Sequence, residues 1–209
     1  MTATILRVYP ENPAPRHIRH IVDLLRDGGI IIYPTDTVYA LGCDMANQSS
    51  IDRLCRIVGK KPEQANLALI CEDLSNISFY TKQFENPIFK MMKKALPGPY
   101  TFILNANSNV PKLFKNKKRE IGIRVPDNNI PRALVKELGH PIITTSLSSE
   151  DEITRYFIDP EEMLLEYKNL VDLVIDGGPG GTEASTVIDC TGNEVAVVRE
   201  GKGPIDILP

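Results

Sequence analysis

Short apolar runs alternate along this chain with segments whose apolar positions recur at helical spacing. Ile18 to Arg26 carries Ile21, Leu24 and Leu25 on one helical face, and Gly28-Gly29 stands where such a helix stops. Gly29 to Tyr33 reads as a β-branched strand, ended by Pro34 because proline cannot donate to a strand ladder. Ser49-Ser50 offers an N-cap for a helix through Val58, with Gly59 as its stop. Leu67 to Cys71, Tyr100 to Leu104, Ile121 to Val125, Ile142 to Thr145, Leu173 to Asp176, Thr186 to Asp189 and Val195 to Arg199 read as short strands. Pro87 to Leu96, Pro131 to Leu138 and a stretch near Glu161 to Asn169 read as helices, the first closed by Pro97-Gly98-Pro99 and the second by Gly139. Such a mixture predicts an α/β (α+β) protein with a sizeable mixed sheet. No repeat, low-complexity tract or dividing linker appears, so residues 1–209 are expected to form a single domain.

Composition narrows the class. Apolar residues make up 42% and charged residues 24% of the chain, as in ordinary soluble proteins. No apolar run approaches the ~18 residues of a membrane span. The N-terminus lacks the basic and apolar regions of a secretory signal, so a cytoplasmic location and no membrane partner are expected. The net charge of −3 supplies no global field for nucleic acid. Locally, Lys112, Lys115, Lys117, Lys118 and Arg119 form a basic stretch, and Lys60-Lys61 a second one, while Glu150-Asp151-Glu152 is acidic. A basic cleft in an acidic protein suits an anionic small ligand better than a long duplex; the other reading of the lysine run is a solvated loop. Cys43, Cys55, Cys71 and Cys190 are too widely spaced for a zinc site and read as buried or idle reduced thiols; no metal site is expected. His17, His20 and His140 lack metal-ligand or catalytic partners in sequence and read as surface residues.

Polar residues crowd after the strand at Tyr33, where Thr35, Asp36 and Thr37 follow in succession. Open α/β sheets bind ligands at strand ends, so this loop either meets a ligand or caps its own turn. Lys60 and Lys61 close a helix, where cations suit the helix dipole but can also neutralise a triphosphate. Thr101 follows a rigid turn, and Arg124 ends a strand, where its planar fork can grip a carboxylate or phosphate. Thr144-Thr145-Ser146-Leu147-Ser148 runs a strand into a hydroxyl-rich loop; Ser185 and Arg199 occupy the last strands. Gly177 to Thr182 has no phosphate-loop lysine and no following helix, and reads as a flexible connection. No nucleophile elbow or metal-helix motif appears, so no residue is assigned a certain catalytic role.

Taken in order, YPTDTVYALGCD (33–44), LPGPYTFIL (96–104), IGIRVP (121–126), TTSLS (144–148), ASTVID (184–189) and VVREG (197–201) resemble the YrdC/YciO family, closest to its YciO branch. The resemblance runs from about Gly28 to Gly203. It implies a YrdC-like domain whose twisted mixed sheet is flanked by helices, with a large basic concave cavity, and threonylcarbamoyl-AMP synthesis from L-threonine, bicarbonate and ATP with Mg2+, feeding the t6A modification of tRNA. It further implies threonine binding by Thr35, Arg124, Thr144 and Ser185, and nucleotide binding by Lys60, Lys61, Thr101, Ser146, Ser148 and Arg199. The alternative it leaves open is a non-catalytic protein binding double-stranded RNA, tRNA or the ribosome through the same cavity, with Lys112, Lys115, Lys117, Lys118 and Arg119 as RNA contacts. Two departures stand out: the family's KxR reads Gly59-Lys60-Lys61, and its SxN reads Ser146-Leu147-Ser148. Lysine lacks arginine's bidentate fork, so a weaker grip on phosphates is expected at Lys61.

Overall fold

A computed structural model describes residues 2–61, 65, 67–110, 119–147 and 156–207. In chain order these form β1 (Thr4–Arg7), α1 (Pro15–Arg26), β2 (Ile30–Tyr33), β3 (Ala40–Asp44), α2 (Gln48–Ile57), β4 (Ala68–Ile70), α3 (Ile77–Tyr80) and α4 (Asn86–Ala95). They continue with β5 (Tyr100–Asn105), β6 (Glu120–Arg124), α5 (Asn129–Leu138), β7 (Ile142–Ser146), α6 (Pro160–Tyr167), β8 (Leu173–Asp176), β9 (Thr186–Asp189) and β10 (Ala196–Arg199). A 3-10 turn follows at Ile205–Ile207.

The ten strands among the described residues make one mixed sheet in the order β1-β8-β2-β3-β7-β4-β6-β5-β9-β10. Strand alternation sends successive side chains to opposite faces. Ile30 and Ile32 of β2 therefore join one core with Leu54 of α2, Met92 of α4 and Met163 of α6. Ile31 and Tyr33 join a second core with Ile21 and Leu25 of α1 and Leu134 of α5. Helices thus cover both faces, as the alternation of elements predicts. Among the described residues no helix is long and apolar enough to cross a membrane.

The structure departs from expectation in several places. The cap of α2 is Asn47, whose side chain accepts from the Ser50 amide at 3.2 Å, rather than Ser49 or Ser50. Ser50 is committed elsewhere: its hydroxyl donates to the Gly28 carbonyl. Strand β3 carries Ala40, Gly42 and Asp44, which are poor strand formers, but it lies between β2 and β7 and its ladder is satisfied on both sides. Gly42 is required there because a Cβ would stand 2.7 Å from the Tyr33 ring. The glycine-rich connection between β8 and β9 is tied down rather than loose. Gly178 donates to Asp176 and accepts from the Tyr39 hydroxyl, and Gly180 donates to the Ile158 carbonyl.

Candidate functional site

The site begins with the register of β6. Ile123 pairs with Phe102 of β5, and both enter the first core. Alternation then turns Arg124 and Thr101 to the opposite face. Arg124 is buried, and its Nη2 donates to Asp36 Oδ1 at 3.1 Å and to Thr37 Oγ1 at 3.0 Å. Only 5% of the Arg124 side chain and 8% of Asp36 are exposed, so this is a buried ion pair. Burial pushes the Arg124 guanidinium down from its ordinary value, and the Asp36 charge opposes that shift.

Proton direction in the loop after β2 is forced by chemistry. Arginine can only donate and a carbonyl can only accept. The chain therefore runs from Arg124 to Thr37 Oγ1, on to Thr35 Oγ1 at 3.0 Å, and ends on the Val38 carbonyl at 2.7 Å. Thr35 Oγ1 also accepts from the Thr37 amide at 3.1 Å. One donor and two acceptor positions are thus filled, so the Thr35 hydroxyl holds the loop in shape.

A second cluster adjoins the first. Strand β9 runs parallel to β5, and just before it Ser185 shares a hydrogen bond with Thr101, Oγ to Oγ1, at 2.8 Å. Arg199, at the end of β10, donates from Nη2 and Nε to the Ser185 carbonyl at 2.8 and 3.2 Å. Its charge also acts on Arg124. Three residues on, Lys202 donates to the main-chain carbonyl of Asp36. Two buried polar atoms of this region have no partner among the described residues: Asp36 Oδ2 and Arg124 Nε. An unmatched buried donor and an unmatched buried acceptor each cost on the order of 1–3 kcal/mol, a gap of the kind that a bound group or an ordered water closes.

Five of the sequence-predicted residues therefore meet: Thr35, Thr101, Arg124, Ser185 and Arg199. Thr144 is buried on the same sheet; its hydroxyl donates to the Leu41 carbonyl at 3.0 Å and receives Tyr33 at 2.6 Å. Ser146 pairs with Ala40 and is half-buried. Lys60 and Lys61 lie exposed between α2 and β4. Arg119 lies exposed ahead of β6, at the end of that strand opposite Arg124. Ser148, Lys112, Lys115, Lys117 and Lys118 lie outside the described residues. A cavity of about 290 Å³ near α3 and the end of α5, lined by Tyr80 and His140 among others, includes none of the predicted residues. Sequence reasoning missed Lys202 and gave no role to Tyr33. It singled out Asp36 and Thr37 only as members of a polar cluster. The one available signal for Lys202 was its position directly after the VVREG segment.

The fold and its site define an α/β protein that gathers cations around one buried carboxylate. The family model Sua5_yciO_yrdC, described as "Telomere recombination", matches residues 23–201, and the chain belongs to this family. Escherichia coli K12 YciO, described as uncharacterized, is 43% identical over 200 residues, covering 95% of each chain. The crystal structure of E. coli YciO matches with a TM-score of 0.92 at 40% identity, over 99% of this chain and 100% of that one. A Halorhodospira halophila threonylcarbamoyl-AMP synthase is 28% identical over 187 residues, 86% of this chain and 92% of its own. P. abyssi Sua5 complexed with L-threonine shares the fold, with a TM-score of 0.87 at 23% identity, over 98% of this chain and 59% of that one.

Proposed function

We propose that the protein joins L-threonine, bicarbonate and ATP into threonylcarbamoyl-AMP with release of diphosphate, in support of tRNA t6A modification. The observation that carries this reading is the pair of unmatched buried atoms, Arg124 Nε and Asp36 Oδ2. A free donor beside a free acceptor suits a zwitterionic amino acid: its carboxylate meets the guanidinium and its N–H meets the aspartate. The H. halophila synthase and the threonine-bound P. abyssi Sua5 lend support from the family.

In this reading Arg124 grips the threonine carboxylate, with Thr35, Thr144 and Ser185 shaping that end of the site. Arg199, Thr101, Ser146, Ser148, Lys60 and Lys61 serve the nucleotide. The threonine amine adds to carbon dioxide from bicarbonate, giving a carbamate. A carbamate oxygen attacks the α-phosphorus of ATP, and the bond to diphosphate breaks. Positioning and charge neutralisation carry such a transfer without a protein nucleophile. Magnesium enters with the triphosphate, whose oxygens hold it. Among the described residues no group of three His, Cys, Asp or Glu side chains is arranged to hold a metal ion.

The test is diphosphate release with threonine, bicarbonate, ATP and magnesium, run beside other amino acids. Release that depends on threonine and falls at least a hundredfold in Arg124→Lys is expected, since the fixed fork is lost. Release unaffected by omitting threonine sinks the reading. A second reading, RNA or tRNA binding without catalysis, draws support from Gly59 and Lys61, where the KxR pattern is altered, and from Ser148, where SxN loses its asparagine. It predicts RNA retention that falls steeply with salt and no diphosphate release.

A further inference from the structure

Among the described residues three cations reach this site, and Asp36 is the carboxylate paired there. Arg124 is paired with Asp36. Arg199 rests on the carbonyl of Ser185, and Lys202 on the carbonyl of Asp36. Among the described residues neither Arg199 nor Lys202 forms an ion pair. A carbonyl dipole holds a cation in place without cancelling its charge. Among the described residues these two positive charges have no carboxylate within ion-pair distance, an arrangement that attracts an anion with more than one negative charge.

Lys202 is held by a fixed backbone. A Cβ on Gly201 would stand 2.3 Å from the Ala184 carbonyl oxygen, and one on Gly203 would stand 2.5 Å from the Tyr100 ring. Between them, the Lys202 amide donates to the Ala184 carbonyl at 2.9 Å. Thr186 Oγ1 accepts from the Gly201 amide at 2.9 Å and donates to the Gly203 carbonyl. The side chain leaves this anchored turn and reaches the loop after β2, where Asp36 is gripped from two sides, at its carboxylate by Arg124 and at its carbonyl by Lys202. One of the three ammonium donors is used there, which leaves two.

We propose that Lys202 is a phosphate-binding residue of the site, presenting its two remaining donors to the phosphate chain of the nucleotide beside Arg199. This assignment rests on the nucleotide reading above.

Calorimetry on the full chain tests it, with inorganic tripolyphosphate and ATP as separate titrants. Lys202→Gln keeps a donor for the Asp36 carbonyl and removes the charge. It is expected to weaken both titrants about tenfold, the scale of one charge-assisted hydrogen bond. Lys202→Arg should stay within about threefold, as should Lys168→Gln, an exposed control far along the chain. Threonine binding should be unchanged in all three variants. Wild-type ATP affinity retained in Lys202→Gln overturns the assignment while the nucleotide reading stands. An Arg variant as weak as the Gln variant also overturns it, because charge is then not the cause. A wild type that binds neither titrant overturns both.

Discussion

Asp36 and Arg124 bury opposite charges behind side chains that are 8% and 5% exposed. Removing one partner of such a pair strands the other in a poor solvent and typically costs about 3–5 kcal/mol, whereas replacing both costs far less. Arg124→Met and Asp36→Asn should therefore each destabilise strongly in urea unfolding. The double variant should be more stable than the two separate costs predict. Additivity within about 0.5 kcal/mol would show that the two groups do not depend on each other. The residue scale also shows where sequence reading stops. A hydroxyl after a buried strand is legible as functional or structural, but its proton is not. Thr35, Thr37 and Thr144 look alike in sequence, yet Thr35 is filled by its own loop and Thr144 by Leu41 and Tyr33. Thr37 alone passes the contact on to Arg124.

At the scale of elements, the strands with β-branched runs were legible because their pattern alone demands burial: β2, β8 and β9 fall close to where the sequence puts them. Strand β3 was not, since Ala40, Gly42 and Asp44 carry little strand preference and owe their state to neighbours on both sides. The β8–β9 connection was misread for a related reason. Its glycines look permissive in sequence, but the structure uses them for close approach. A Cβ at Gly181 would lie 2.1 Å from the Thr37 carbonyl oxygen, a backbone atom of the site loop. Gly181→Ala must therefore displace that loop, costing about 1–3 kcal/mol as overpacking does and loosening threonine. Gly192→Ala, whose nearest neighbour would be 3.7 Å away, should be close to neutral. Comparable thermal midpoints and threonine affinities for the two variants would remove the connection from any part in shaping the site.

The whole molecule explains why the site could be guessed only in fragments. Asp36, Thr101, Arg124, Ser185, Arg199 and Lys202 come from five separate stretches, and the strand order that unites them interleaves early and late strands: β8 sits between β1 and β2, and β9 beside β5. The pairings of β1 with β8 and of β5 with β9 tie early and late parts of the chain into one sheet, so the site and the sheet are expected to unfold together. The cysteines offer a local probe of that idea. Cys43 lies in β3, Cys55 in α2, Cys71 just after β4 and Cys190 just after β9, and all four are buried. Burial pushes the Cys71 and Cys190 thiols up to about 12, and Cys43 higher still, so these three carry little reactive thiolate in the folded chain. At about pH 8 the native protein should resist alkylation, while the unfolded chain, with ordinary thiols, should react. A urea titration read by circular dichroism, tyrosine fluorescence and pulsed alkylation of each cysteine should then give one shared midpoint. Labelling of Cys190 at lower urea than Cys43 would mean that β9 and β10 come away first, carrying Ser185, Arg199 and Lys202 off as a unit separable from the rest.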